Sequence, residues 1–325
     1  MKKLSGWQKA GLFAGVGCLS IVVVVVAGLA IAVVMARSTI AQLGDPNPTR
    51  TERTIALPAP QGAPAGAAAT KGTPSKVDGP LRLTINLEDG NFTIRPGPPG
   101  AQVHVEGTYA QGLYELIEDR ADDAGGRTTI RFRSKAPAWA RLLSGIGGGN
   151  SATRPELTVV IPTGVPIDLS LRVGQGESRI DLGGLTLTDL GLDVAMGNHN
   201  VDFKEPVVRG LRRARLNASM GNVSIDHLGN ARAESIDASG SMGNLKVDLG
   251  GDWQKDTETD LSLRHSMGEL TVNVPTNVRL QAEVSSSQGN ADNRSADARE
   301  TQDPAAPRLR LRVSTSMGDS HISRY

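Results

Sequence analysis

Methionine is the first residue type whose spacing suggests chemistry, because in the second half of the chain it recurs directly before a glycine. A thioether sulfur is a soft ligand, and soft ligands favour Cu(I). The same flexible side chain also fills irregular gaps in packed structures. We expect no metal role, since one position of a repeated coil, packed or half-exposed, accounts for every member of this column. The methionines of the column are Met196, Met220, Met242, Met267 and Met317.

Aspartate forms a second column, in which each residue directly follows an isoleucine or a valine. Carboxylate oxygens are ligands that Ca²⁺ prefers, so a ladder of aspartates could hold calcium. A solvated or turn-forming residue after a buried one explains the same pattern, and the glycine-rich nonapeptide of calcium-binding β-rolls is absent. We therefore predict no metal site and no cofactor. The aspartates of the column are Asp181, Asp202, Asp226 and Asp248.

Catalytic motifs are missing from the sequence. It contains no glycine-rich phosphate loop, no nucleophile elbow and no Ser/His/Asp spacing. The formal net charge of +1 at pH 7 gives no basic footprint for nucleic acid. We predict that the protein is not an enzyme and does not bind nucleic acid. A carbohydrate-active enzyme on a β-helix is an alternative, although the sequence singles out no pair of carboxylates.

A repeat positions these columns. Copies related to Ser-Met-Gly-Asn recur every 21–29 residues. Apolar residues stand five before and four after the glycine of most copies, flanked by polar residues at every second position. This alternation is typical of half-buried strands. The glycines are Gly176, Gly197, Gly221, Gly243, Gly268, Gly289 and Gly318, with an earlier copy at Gly90.

The repeat predicts coils of two short strands joined at the glycine. Since one coil cannot bury its apolar face alone, the coils should stack on one another. The predicted fold class is all-β, a right-handed β-solenoid of 21–29-residue coils. Residues 81–325 should form this solenoid, with an irregular β start at 81–156 and regular repeats at 157–325.

A longer echo links two strand endings, because Leu157–Val165 reads much like Leu270–Val278. With these endings and its Ser-Met-Gly-Asn copies, the chain resembles the bacterial putative-adhesin domains of unknown function and the related toast-rack domains of envelope proteins. The resemblance covers about Leu81 to Tyr325. It implies a β-solenoid on a membrane anchor, in envelope-stress or surface-display settings, and carries over no catalytic residues.

Residues 1–37 are predicted to be a cytoplasmic N-terminus and a transmembrane helix. No charged residue lies between Ala10 and Ala36, and about 20 apolar residues cross a bilayer. Lysines precede the segment, so the positive-inside rule places the N-terminus in the cytoplasm. Because a cleaved signal peptide has a shorter apolar stretch, we predict an uncleaved single-pass anchor in the bacterial cytoplasmic (inner) membrane, with an extracytoplasmic ectodomain.

Residues 38–80 are rich in proline, alanine, glycine and threonine. Such a composition buries too little apolar surface to fold. We predict a disordered linker here, between the anchor and the solenoid.

One segment departs from the repeat, with a short helix predicted near residues 137–146. Its apolar residues are spaced so that they share one helical face. The face is a candidate contact for a partner or for the membrane, and the alternative is a cap on the apolar surface of the solenoid. The residues of the face are Trp139, Leu142, Leu143 and Ile146.

Taken together, these patterns predict a non-enzymatic, membrane-anchored module of the cell envelope. It would act as an adhesin or an envelope-stress or scaffold component, and would bind a protein or glycan partner through the solenoid. The alternatives are the β-helix enzyme and a solenoid that polymerises into filaments.

Overall fold

The computed structural model describes residues 28–35, 38, 47–57, 79–121, 126–137, 154–293, 301 and 303–325. The chain divides into two units. The first comprises Met1–Pro48, Ala110–Tyr114 and Ser134–Thr153. Its described part contains a helical stretch at 28–35 and a turn in which the Leu113 amide donates to the Ala110 carbonyl oxygen at 2.9 Å. The second unit comprises Thr49–Tyr109, Glu115–Arg133 and Arg154–Tyr325, and it contains the repeat.

The transmembrane helix of the predicted fold class is wrong. Within the described residues, no helix combines the length and the apolar character that crossing a membrane requires. The helical stretch at 28–35 is about two turns long, whereas a span needs about 20 residues. Residues 10–27 and 36, the rest of the predicted span, lie outside the described residues.

Part of the predicted linker forms a strand. Thr49–Ala56 pairs antiparallel with Gln102–Tyr109, and Ile55 is buried. The segment carries threonines and an isoleucine, which favour strands, so the proline content of its neighbours concealed it. Residues 58–78 lie outside the described residues, as do 138–153, which hold most of the predicted short helix.

Strands dominate the described residues and form one 16-stranded sheet, so the all-β class is confirmed. The first eight strands are β1 Thr49–Ala56, β2 Leu81–Pro99, β3 Gln102–Tyr109, β4 Tyr114–Ala121, β5 Arg127–Ser134, β6 Glu156–Thr163, β7 Ile167–Asp181 and β8 Leu187–Asp202. The others are β9 Arg213–Asp226, β10 Ser235–Asp248, β11 Glu258–Met267, β12 Leu270–Val274, β13 Arg279–Gln288, β14 Ala291–Asn293, β15 Arg308–Met317 and β16 Ser320–Arg324. A short 3₁₀ helix occupies Leu228–Ala231.

The long strands are bent at the repeat glycine. Strand β7 has 15 residues and would be about 50 Å long if straight. Only residues 182–186 connect it to the start of β8, its parallel neighbour, and five residues span at most about 18 Å. The strand must therefore fold back on itself at Gly176, which has a φ of 134°. We call the part of each strand before the glycine its first limb and the part after it its second limb.

Only glycine fits at the bend. A Cβ on Gly197 would lie 1.7 Å from the carbonyl oxygen of Gly176 in the neighbouring coil. The φ of 139° at Gly197 is also one that other residues rarely adopt. The glycines therefore stack directly on one another, Gly90 on Gly176 and Gly176 on Gly197. This stacking sets the register of every coil.

The core lies between the limbs. Along each limb of β7 the buried residues alternate with half-buried or exposed ones. Leu169 and Leu171 from the first limb and Ile180 from the second are all buried, and the same columns are buried in β8, β9 and β10. Burial of one face in these coils confirms the half-buried strands that the alternation predicts.

Coil order in space differs from coil order in sequence. Strand β15 pairs with both β11 and β13, and β16 pairs with both β12 and β14. The C-terminal coil therefore lies between the coil of β11 and β12 and the coil of β13 and β14. The latter coil, earlier in sequence, forms the edge of the sheet among the described residues.

The echoed strand endings mark the places where the chain steps over a coil. Residues 275–278 carry it from β12 to β13, past β16, and residues 164–166 carry it from β6 to β7, past β2. Each step covers two strand spacings, about 9.6 Å, which three or four residues can span. Proline follows the strand in one copy and lies within it in the other, at Pro275 and Pro162.

The start of the repeat is mixed. Strand β2 pairs parallel with β5 along its first limb and with β6 along its second. Strands β6, β3 and β1 then extend the second-limb side as antiparallel neighbours. A solenoid of parallel coils alone has no such extension.

Candidate ligand-binding groove

A polar groove runs across the outward face of the second limbs. It has a volume of about 870 Å³ and lies within the second unit. Its walls come from β1, β3 and β6 on one side and from the coils of β2, β7, β8, β9 and β10 on the other. The main polar residues that line it are Arg50, Asn91, Thr93, Glu106, Thr108, Glu156, Thr158, Glu177, Arg179, Asn198, Asn200, Asn222, Ser224, Asn244 and Lys246.

Strand alternation places these residues outward. Successive side chains of a strand point to opposite faces, so the first and third residues after each bend glycine share one face. In β9 these are Asn222 and Ser224, while Val223 and Ile225 are buried in the core. Strands β1 to β10 would span about 34 Å if the sheet were flat. Since they line one cavity, the sheet is curved, with its outward face concave.

An amide ladder forms part of the groove floor. Asn198, Asn222 and Asn244 occupy the same position in adjacent coils. The Asn222 Nδ2 donates to the Asn198 Oδ1 at 3.0 Å, and Asn198 and Asn222 are exposed. Each amide carries both donors and acceptors. Repeated at about 4.8 Å, they present a regular row of hydrogen-bonding groups to a ligand in the groove.

Charges of both signs flank the ladder. Arg50 and Glu106 form an ion pair at 3.6 Å on the antiparallel side. Glu156 of β6 and Glu177 of β7 are exposed, and each lies directly opposite Asn91 of β2. Arg179 and Lys246 add positive charge on the coil side. The groove therefore has no dominant sign, which agrees with a neutral ligand.

A buried histidine lies beneath the floor. His199 is 3% exposed, and its Nδ1 is 2.8 Å from the Ser178 Oγ of the neighbouring coil. Burial lowers the pKa of His199, an effect that a backbone hydrogen bond at Met196 partly opposes. At neutral pH the ring is therefore uncharged. It contributes a packed polar contact near the bend and no charge to the groove.

The aspartate column does not line the groove, and each carboxylate has its own partners. Asp181 lies 3.3 Å from the Lys204 Nζ, and Asp202 lies 2.8 Å from the His227 Nδ1. The hydrogen bond that His227 donates to the Asp202 carboxylate raises the pKa of His227. Asp226 accepts from Asn200 and Ser224 at 2.6 and 3.0 Å.

Asp248 closes this column by accepting a hydrogen bond from the Tyr325 hydroxyl at 2.8 Å. Burial and the nearby Asp248 raise the pKa of Tyr325 to about 12. Across the described ranges, no group of three or more His, Cys, Asp or Glu side chains is close enough to hold a metal ion. The column thus joins different coils through paired contacts.

The residues predicted as a partner contact, Trp139, Leu142, Leu143 and Ile146, lie outside the described residues. The groove itself was missed in the sequence. The Ser-Met-Gly-Asn copies of the sequence repeat an asparagine directly after the bend glycine. No sequence signal showed that β1, β3 and β6 would extend the same face, because their pairings join distant segments.

The family comparison agrees with the resemblance seen in the sequence. Residues 78–226 match the family model described as the N-terminal domain of toast_rack, DUF2154. The match begins just before β2 and ends with β9, so it includes most of the groove. The predicted likeness to toast-rack domains is confirmed. No curated protein matches the sequence significantly.

Three solved structures resemble the chain weakly. One is a putative cell adhesion protein from Clostridium sporogenes, with 11% identity and a TM-score of 0.39. The match covers 86% of this chain and 100% of that protein. A putative adhesin from Bacteroides fragilis has 12% identity and a TM-score of 0.35, covering 84% and 98%. A putative adhesin from Parabacteroides merdae has 10% identity and a TM-score of 0.30, covering 85% and 97%. These TM-scores are too low for the likenesses to bear on the fold or function of this chain.

Proposed function

We propose, on the premise that residues 78–226 form a toast-rack N-terminal domain, that this chain is a non-enzymatic binding protein whose ligand occupies the polar groove. The observation that carries the proposal is the amide ladder on the concave face. Asn198, Asn222 and Asn244 repeat at the spacing of the strands. A ligand that is extended and rich in hydrogen-bonding groups fits such a row.

A glycan is the partner class that this chemistry favours. Amides and hydroxyls provide most of the groove lining, and the charges are of mixed sign. Sugar hydroxyls both donate and accept hydrogen bonds, as the asparagine amides do. A protein partner would ordinarily use an apolar core with aromatic anchors, and Phe92, the one aromatic residue lining the groove, is buried.

The test is glycan binding by the full chain and by a groove variant. The probe is a panel of neutral and acidic oligosaccharides of bacterial envelopes, measured by calorimetry. Asn222→Ala with Asn244→Ala removes two rungs of the ladder. At about 1 kcal/mol for each lost hydrogen bond, affinity should fall at least about tenfold.

Asn217→Ala is the matched control. Asn217 is exposed on the first limb of the same strand, outside the groove, and donates to the Asp193 Oδ1 at 2.8 Å. This variant should bind as the unmodified protein does. Equal binding by the control and by the ladder variant would contradict the proposal, as would a panel from which nothing binds.

A carbohydrate-active enzyme is the second candidate, because two carboxylates face the groove. Glu156 and Glu177 flank Asn91 on β6 and β7, two strand spacings or about 9.6 Å apart between Cα atoms. Inverting glycosidases hold their carboxyl groups about 6.5–9.5 Å apart. Both glutamates are exposed, however, and the general acid of such enzymes keeps its proton through an apolar environment.

Incubation with the same oligosaccharides separates the two candidates. Under the binding proposal no new reducing ends appear over hours. Release of reducing ends by the full chain that is lost in Glu177→Gln would replace the binding proposal by the enzymatic one.

We infer further that binding takes place outside the cytoplasm, at the bacterial cell envelope. Cys18 is the only cysteine of the chain, so the repeat carries no thiol that an oxidising compartment would affect. Protease added to intact spheroplasts should then digest the repeat, while a cytoplasmic marker stays intact.

A further inference from the structure

The five methionines of the repeat are contiguous in space, although they are not contiguous in sequence. Along the chain, the copy with Gln288 separates Met267 from Met317. In the structure Met317 pairs with Met267 on one side and with Gln288 on the other. The remaining methionines follow in register, Met196 beside Met220, Met220 beside Met242 and Met242 beside Met267. We call this row the methionine ridge.

The ridge is exposed. Met196, Met220, Met242 and Met317 are 44%, 43%, 47% and 49% exposed, and Met267 is half-buried. Within the described part of the second unit, the other exposed large apolar side chains are Val208 and Tyr325. The methionines are therefore half-exposed and not packed in the core, the second of the two placements expected for one position of the repeat.

Sulfur is what the ridge positions share. Other apolar columns of the repeat exchange freely, as where Leu216, Ala238 and Leu263 stand in neighbouring coils. The ridge has methionine in five adjacent coils, and the coils on either side have glutamine directly before the bend glycine, at Gln175 and Gln288. A general apolar contact could use leucine at any of these places. A role for the thioether explains why methionine stands at five adjacent places.

Soft monovalent cations are the ligands that match a row of thioethers. Thioether sulfur selects Cu(I) over hard or borderline ions, which prefer oxygen and nitrogen. Neighbouring strands lie about 4.8 Å apart, so the whole row extends over about 19 Å. Methionine has three flexible side-chain bonds, so the sulfurs of adjacent rungs can approach one ion from both sides.

We propose that the methionine ridge binds Cu(I), or the chemically similar Ag(I), through thioethers of adjacent coils. The ion bridges two or three neighbouring sulfurs. An unbroken row offers several overlapping groups of two or three adjacent sulfurs. The affinity for the ion should therefore depend on the continuity of the row. The ridge does not line the groove, and this proposal is independent of glycan binding.

The full chain is tested with two probes. Cu(I) is presented without oxygen in competition with a coloured Cu(I) chelator, and Ag(I), which undergoes no redox change under these conditions, is titrated by calorimetry. The unmodified protein should bind at least one equivalent of each ion. A variant with leucine at all five ridge positions should bind at least tenfold more weakly. Leucine has nearly the volume of methionine, and thermal unfolding verifies that the variant is folded.

Three single variants test whether contiguity matters. Met242→Leu breaks the ridge in the middle and leaves only pairs, whereas Met196→Leu shortens it at one end and leaves four adjacent sulfurs. Met242→Leu should weaken binding more than Met196→Leu. Met35→Leu changes an exposed methionine of the other unit and should change nothing.

Two results would overturn the proposal. One is equal binding of Ag(I) by the unmodified protein and the five-leucine variant, as expected if the ridge served only as an apolar contact surface. The other is an equal loss in Met242→Leu and Met35→Leu, which would show that position in the ridge does not matter.

Discussion

Glycine at the bend is the residue on which each coil depends. Its backbone adopts a positive φ, which other residues rarely do. Because it has no Cβ, the carbonyl oxygen of a neighbouring coil can approach more closely than it could to any other residue. At Gly221 a Cβ would lie 2.0 Å from the Gly197 oxygen, and the φ is 116°. The atom in the way is backbone, fixed by the sheet on both sides, so it has little freedom to move.

We predict that Gly221→Ala destabilises the protein by about 3 kcal/mol or more, the sum of backbone strain and overpacking. Gly191→Ala is the control within a neighbouring strand. There the nearest atom to an added Cβ is the Leu169 oxygen at 4.0 Å, and the φ is not in the left-handed region. Alanine lowers the conformational entropy of the unfolded chain, so Gly191→Ala should raise the free energy of unfolding by up to about 1 kcal/mol. Urea unfolding measures both, and similar losses in the two variants would refute the account of the bend.

Strands differ in what they bury, and the edge strand buries least. In β15 the inward residues Leu309, Leu311 and Val313 are 1–2% exposed. Their registered partners in β13 are Leu280, Ala282 and Val284, all only half-buried. No described strand covers the other side of β13. Arg279 and Glu283 place charges along this strand, which opposes pairing with stray chains.

We expect Leu309→Ala to cost about 2–5 kcal/mol, as for other buried leucines. Leu280→Ala, at the registered position one strand further out, should cost less than half as much because its side chain is already partly in water. Equilibrium unfolding in urea gives both values. If the two losses were the same, some further part of the chain or a partner would have to cover β13.

At the scale of the whole molecule, the second unit is a stack whose last coil is not the last in sequence. Strands β15 and β16 separate β13 and β14 from the rest of the sheet. In a stack each coil is stabilised by its neighbours. The C-terminal residues therefore support the segment that precedes them.

Two truncations test this order. Ending the chain after residue 293 removes β15 and β16, and ending it after residue 278 removes β13 and β14 as well. In the chain that ends after residue 293, β13 and β14 have lost the strands with which they pair and should not fold. Both truncated chains should therefore show the same free energy of unfolding. Hydrogen exchange should show residues 279–293 unprotected in the longer one. Protection there would mean that β13 pairs directly with β11, in the order of the sequence.

Local features of the repeat were open to prediction from the sequence. The spacing of glycines such as Gly197 and Gly221 identified the coil and its bend, because a positive φ and a close backbone contact leave a mark on single residues. Alternation around Leu171 and Ile180 identified the buried face for the same reason. The strand at Thr49–Ala56 and the absence of a membrane-spanning helix among the described residues were not foreseen. For the strand, the high proline content of the surrounding residues outweighed the pattern of the segment itself. For the helix, the apolar composition of the N-terminal residues suggested a membrane span.

By itself, the sequence determined the coil, its glycine bend, its buried columns and the toast-rack resemblance, since each depends on residues within about 30 positions of one another. Tertiary structure alone decided the order of the coils, the curvature of the face that becomes the polar groove, and the continuity of the methionine ridge. All three arise from pairings between distant segments, β3 with β6 and β15 with β13 among them. A strand with one buried face accepts several neighbours of similar pattern. Which neighbour it takes depends on the lengths of the connections and on the packing of the whole sheet.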